Sequence, residues 1–193
     1  HTGRGRAFDL TRQLHFVAIG GTMRAYSSTE RALRKALSIA EAKGARTTLL
    51  SGEAINFPHY APESADRSEA ARAYIATLRS ADAVILGSPG YHGAISGFVK
   101  NALDYVEDLS RDERCYFDGL PVGSIATAAG WQAAVATLQQ LRAITHALRG
   151  WPTPLGIAIN TAGSDGDPVE QAPVPDQIGM MIDQMFHFVP PTL

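Results

Sequence analysis

The 193-residue chain holds one cysteine, Cys115, so no intrachain disulfide can form. Such sparing use of thiols points to a reducing compartment, the cytoplasm. No apolar run approaches the roughly 20 residues that a membrane-crossing helix needs. The formal net charge is −2, which leaves no basic field for nucleic acid and too little acid for a strongly negative electron carrier. The six histidines show no paired metal spacing, and Asp165 and Asp167 lack the spacing of a calcium loop, so no metal is expected. Neither G-x-G-x-x-G nor a Walker A loop occurs. A nucleophile elbow is excluded because Leu86 stands where G-x-S-x-G needs glycine before Ser88. The first residues, His1 to Arg6, contain no apolar signal core. Residues 1–13 read as an N-terminal extension or a cloning remnant, and 14–193 as a single domain.

What is present centres on Ala83 to Asp104. An unbroken apolar run, Ala83 to Leu86, has the character of a strand buried on both faces. Gly87 to Gly93 then packs three glycines and a proline into seven residues, which predicts a tight loop. From Gly97 the apolar residues fall at helical spacing through Leu109. Strand, loop and helix in that order form a ligand-binding unit of open α/β sheets. Within it Ser88, Pro89, Tyr91, Gly93, Gly97, Lys100, Asn101 and Asp104 follow the pattern S-P-x-Y-x-G-x-x-x-G-x-x-K-N-x-x-D without departure. On this stretch the chain resembles the NAD(P)H-dependent FMN reductase family of the flavodoxin-like superfamily.

The remaining elements agree with that unit. Strands are expected at Leu14–Ile19, Arg46–Leu50, Pro121–Ala128 and Leu155–Ile159. Helices are expected from about Ser27 to Lys43, Ser68 to Leu78, Ala133 to Leu148 and Asp176 to Phe188. Residues 51–67 and 163–175 read as long loops. Five strands alternating with helices imply an α/β, doubly wound five-stranded parallel sheet with helices on both faces. The flavodoxin-like order 2-1-3-4-5 has its switch point between the first and third strands, and the two glycine-bearing loops follow those strands.

The first loop, Gly20 to Thr29, joins strand to helix with hydroxyls and one arginine. Thr22, Ser27 and Thr29 can donate O–H groups, Arg24 adds a fixed charge, and the helix N-terminus adds backbone N–H groups. Such a nest suits a terminal phosphate; plain helix capping is the alternative. Thr22, Arg24, Ser27 and Thr29 match the family loop S/T-x-R-x-x-S-x-N/T, with Ser28 at a variable position, and the resemblance implies the FMN phosphate here. Pro89, Gly90, Tyr91, His92 and Gly93 offer close main-chain approach, and the resemblance implies that they meet the isoalloxazine. Tyr91 has two readings, ring contact or packed aromatic. The third loop, carrying Thr127, Ala128 and Gly130, is implied near the flavin, although Trp131 replaces a usual second glycine.

The resemblance implies FMN as cofactor, NADH or NADPH as electron donor, and hydride transfer passed on to a free flavin, a quinone or a similar acceptor. No catalytic side chain is required, since the flavin carries the chemistry. The alternatives are an FMN-binding electron carrier without reductase activity, or a quinone or azo reductase. Implied partners are small molecules, a second copy in a homodimer or homotetramer, and a flavin-dependent monooxygenase receiving reduced FMN. An apolar arc of roughly 160° on the helix from Phe98 to Leu109, wider than sheet packing needs, predicts cover from a second subunit. The alternative cover is a loop of the same chain, 51–67 or 110–119.

Overall fold

The computed structural model describes residues 13–163 and 165–189. All of the expected extension except Gln13 lies outside them. The order is β1 (His15–Gly20), α1 (Ser28–Ala42), β2 (Arg46–Leu50), α2 (Glu69–Arg79), β3 (Ala83–Tyr91), β4 (Ala94–Ile95), α3 (Gly97–Asp104), β5 (Pro121–Ala128), α4 (Trp131–Ala147), β6 (Trp151–Pro152), β7 (Ile157–Asn160) and α5 (Val174–Phe188). Short 3₁₀ segments occupy Gly52–Ile55 and Tyr105–Leu109.

The parallel strands run β2-β1-β3-β5, and the next position is shared by β6 and β7. Trp151 and Pro152 pair with Pro121 and Val122, while Ile157 to Asn160 pair with Ile125 to Ala128. The strand expected at Leu155–Ile159 is thus β7, begun two residues later, and the unanticipated β6 shares its edge position. With the small antiparallel β4 the sheet has seven strands, and its parallel order matches the expected 2-1-3-4-5.

Alternation along the central strands builds two cores. Phe16 and Ala18 of β1, with Ala83 and Ile85 of β3, face Leu33, Ala36, Ile178 and Met181 of α1 and α5. Val17, Ile19, Val84 and Leu86 face Tyr74, Leu78, Val99 and Leu141 of α2, α3 and α4. Both faces are thus covered, as the unbroken apolar runs require.

Three local expectations are corrected. Gly87 to Gly93 is not a tight loop, because β3 continues to Tyr91 and turns back through His92 and Gly93 into β4. The segment to Leu109 is α-helical only to Asp104 and then tightens to 3₁₀. Its surplus apolar edge is covered by the chain's own 57–60 segment. Asn101 donates to the Phe57 and Pro58 carbonyls at 3.3 and 3.0 Å and accepts from the Tyr60 N–H at 2.9 Å. The Tyr105 hydroxyl donates to the Pro58 carbonyl at 3.0 Å, and its ring lies 4.9 Å from Phe57 and 5.1 Å from Tyr60. Tyr105 is buried. The geometry behind the helix-pairing expectation is satisfied within one chain.

Candidate functional site

At the carboxyl ends of β1, β3 and β5 lies a cleft of about 300 Å³. Thr22, Arg24, Ser27, Ser28 and Thr29 form one side, Pro89, Gly90 and Tyr91 another, and Thr127, Ala128, Ala129 and Thr161 the third. A cleft of about 390 Å³ beside Arg79, Asp112, Glu113 and Arg114 is set apart from these loops, and Arg79 and Asp112 satisfy each other there. The hydroxyls, the arginine and the helix N-terminus gather instead at the strand-end cleft.

Ser27 is the N-cap of α1, its Oγ accepting the Glu30 N–H at 3.2 Å. Glu30 answers by accepting the Tyr26 N–H at 3.0 Å and pairing with Arg34 at 2.7 Å. This Ser-x-x-Glu exchange, a variant of the capping box, fixes how the chain enters the helix. It leaves the Ser27 hydroxyl proton available, and the first-turn N–H groups of Ser28 and Thr29 have no acceptor inside the helix. The hydroxyls of Thr29 and Thr127 lie 2.6 Å apart and are almost fully buried. One proton joins them and the other remains to be given. Arg24 is exposed, and its guanidinium makes no hydrogen bond or ion pair with any described residue. Thr22 differs from expectation. Its Oγ1 accepts the Arg24 N–H at 3.1 Å and donates to the Arg24 carbonyl at 3.2 Å, so it shapes the turn.

On the β3 side, Tyr91 is 53% exposed and Trp131, the first residue of α4, 61% exposed, which makes neither a packed core aromatic. His92 and Gly93 stand at the tip of the hairpin, outside the lining. Gly130, between β5 and α4, also lies outside the lining, and its N–H donates to Asn160 Oδ1 at 2.8 Å. Asn160 also accepts the Ala162 N–H at 3.0 Å and so ties the third loop to the fourth. Ala129, Asn160 and Thr161 were not anticipated. Thr161 could have been found by carrying the strand-end rule to the last strand.

The segment after β7 is clasped to α1. Arg31 grips Asp167 with Nε–Oδ2 2.7 Å and Nη2–Oδ1 3.1 Å and donates to the Tyr26 carbonyl at 2.5 Å. Burial pushes the Asp167 carboxyl up, but the hydrogen bonds from Arg31 and the Val169 N–H outweigh it and hold the carboxyl below its ordinary value. A lowered folded pKa contributes stability above the unfolded value of about 4 and loses it as the pH falls through the folded value. Asp167→Asn should therefore melt below wild type at neutral pH, and the gap should close in acid. A gap unchanged in acid would assign the loss to packing.

A family model described as NADPH-dependent FMN reductase matches residues 14–163. The chain belongs to that family. An FMN-dependent NADPH-azoreductase of Staphylococcus aureus is 43% identical over 79 residues, which is 41% of this chain and 38% of that one. The chain thus matches well under half the length of this relative. Among solved structures, the apo form of an NADH:FMN oxidoreductase, EMOB, superposes with TM-score 0.71 at 17% identity, covering 92% of this chain and 91% of the other. FerB, a flavoenzyme NAD(P)H:(acceptor) oxidoreductase from Paracoccus denitrificans, gives TM-score 0.69 at 20% identity, covering 91% and 97%. At these identities the structural likeness establishes the fold alone. Among the described residues, no helix is long and apolar enough to cross a membrane and no cluster suits a metal ion.

Proposed function

We propose that the chain is an NAD(P)H-dependent FMN reductase, with FMN in the strand-end cleft. The carrying observation is the donor set on its α1 side. The Arg24 guanidinium has no partner among the described residues, Ser27 and the Thr29–Thr127 pair retain a proton each, and the α1 N-terminus directs its amides the same way. That set fits a phosphate monoester. Pro89, Gly90, Tyr91, Thr127 and Ala128 would hold the ring end, with main chain for the heteroatoms and Tyr91 as an exposed flat surface, while His92, Gly93 and Gly130 would flank it from outside the lining. Bound FMN supplies the hydride acceptor. The residues of the chain bind it, orient it and leave one face open for NADH or NADPH and for the small-molecule acceptor.

Family membership and the azoreductase relative support an oxidoreductase. The single cysteine supports the cytoplasm, and residues 14–193 act as one FMN-binding domain in this reading. We assign a homodimer or homotetramer, and a flavin-dependent monooxygenase as one destination of reduced FMN, on the family resemblance alone.

FMN should bind well above riboflavin. Arg24→Ala should weaken FMN by about 1.5–3 kcal/mol, or roughly ten- to a hundredfold in Kd, and leave riboflavin unaffected. Equal affinity for the two flavins rejects the phosphate assignment. Anaerobic NADPH or NADH should bleach the bound flavin band; a band that persists with both would assign an electron carrier instead.

A further inference from the structure

The hairpin that walls the ring end of the cleft is too small to hold itself. Its ladder consists of two pairs, Gly90 with Ile95 and Tyr91 with Ala94, and even longer isolated hairpins are marginal in water. Its two turn residues, His92 and Gly93, both have positive φ, +52° and +81°, as two-residue hairpin turns of this hand require. His92 is one of the few non-glycine types enriched in that backbone, though glycine adopts it far more readily.

Two side chains hold the hairpin in place. Ser88 Oγ accepts the Ser96 N–H at 2.9 Å and donates to the Pro89 carbonyl at 2.8 Å. From the α4 side, Gln140 reaches the turn and the returning arm. Its Nε2 donates to the Gly93 carbonyl at 2.7 Å, and its Oε1 accepts the Ile95 N–H at 3.1 Å. One amide thus closes the turn and joins it to a 17-residue helix packed on β3 and β5. The chemistry is specific to glutamine. Glutamate keeps the acceptor but sets a charge against the Gly93 carbonyl, methionine keeps the length and neither bond, and asparagine is one methylene shorter.

We infer that Gln140 is a positioning residue of the flavin site, holding the Tyr91–Gly93 arm at the angle from which the ring is met. This rests on the FMN reading above. Small displacements of a reacting group by a remote change slow a reaction strongly, because productive geometry is narrow. Gln140 touches no reacting atom and acts through the hairpin alone.

The test uses Gln140→Glu and Gln140→Met in the full chain. In the protein without flavin, hydrogen exchange followed by mass spectrometry should show the Ile95 amide opening about tenfold faster in Gln140→Met, and by a smaller factor in Gln140→Glu, which keeps the Ile95 acceptor and loses the Gly93 bond. Peptides from β1 and β5 should keep their protection. With FMN added, the preference over riboflavin should survive, because the phosphate side is untouched. The visible flavin band should shift, and anaerobic reduction by NADPH should slow about tenfold. Unchanged exchange at Ile95 overturns the clamp. Faster exchange with an unaltered flavin band and reduction rate overturns the positioning role and leaves a structural one. If the wild type itself binds no flavin, the FMN reading and the positioning role fall together, while the exchange result still judges the clamp.

Discussion

Gly20→Ala should leave the protein largely unfolded at physiological temperature. Gly20 ends β1 with φ +142°, and a Cβ built there would lie 1.7 Å from the Gly87 carbonyl oxygen. That oxygen cannot retreat. Gly87 pairs with Gly20 on one side and Ile125 on the other, and its carbonyl receives the Gly21 N–H at 3.3 Å. Leu33 of α1 closes the space over Gly87, where a Cβ would meet it at 2.8 Å. Strain at such a backbone costs about 1–3 kcal/mol, and parting two central strands brings the total to about 4 kcal/mol or more, near the whole stability of many domains. Gly44→Ala is the control. Its φ is also positive, +94°, but a Cβ there meets nothing within 4 Å, so only the backbone term of about 1 kcal/mol applies. Urea midpoints of the two variants decide it. Equal midpoints would mean that β1 and β3 do not approach so closely.

Asp108→Ala should destabilise by about 2–3 kcal/mol, because it strips the partner from a mostly buried arginine. Arg67 makes two bonds to Asp108, at 2.6 and 2.9 Å, and lies over the rings of Tyr60 at 4.9 Å and Tyr105 at 5.4 Å. Its side chain is 14% exposed and that of Asp108 22%. The hydrogen bond to Asp108 raises the guanidinium pKa further, but the ordinary value alone is high enough that Arg67 keeps its charge when the partner is lost. The 57–67 segment should then lift from α3 and become open to protease. Arg67→Met, which keeps the apolar stem, should cost less than Asp108→Ala. A loss under about 0.5 kcal/mol for Asp108→Ala would class the pair with ordinary surface bridges.

The parts legible in the sequence were those with a local cause. β2 and β5 fall where their apolar runs put them, Arg46–Leu50 and Pro121–Ala128, and α1 starts where Ser27 can cap it. The first loop was readable because its hydroxyls and its arginine lie within eight residues. What escaped depends on partners far along the chain. The glycines of 87–93 hid a strand, since the hairpin is secured by Gln140, 45 residues from Ile95. Asn101, set in a motif that reads as helix start, acts on main chain 41 to 44 residues away. The two-residue β6 escaped because its pairing with Pro121 and Val122 leaves no run long enough to read. Periodicity carries no information about a bond formed across the fold.

The Thr29–Thr127 contact, the Asn160 bridge and the Arg31–Asp167 clasp are each made wholly by protein atoms. Together they couple the first, third and fourth loops into one rigid rim. A ligand arriving from solvent meets a mould already set, so capture proceeds by docking rather than by folding a loop around the guest. The ordering entropy of those loops is lost once, when the chain folds, and little remains to oppose each later encounter. Exchange of one bound molecule for another across such a rim is governed by how fast contacts break.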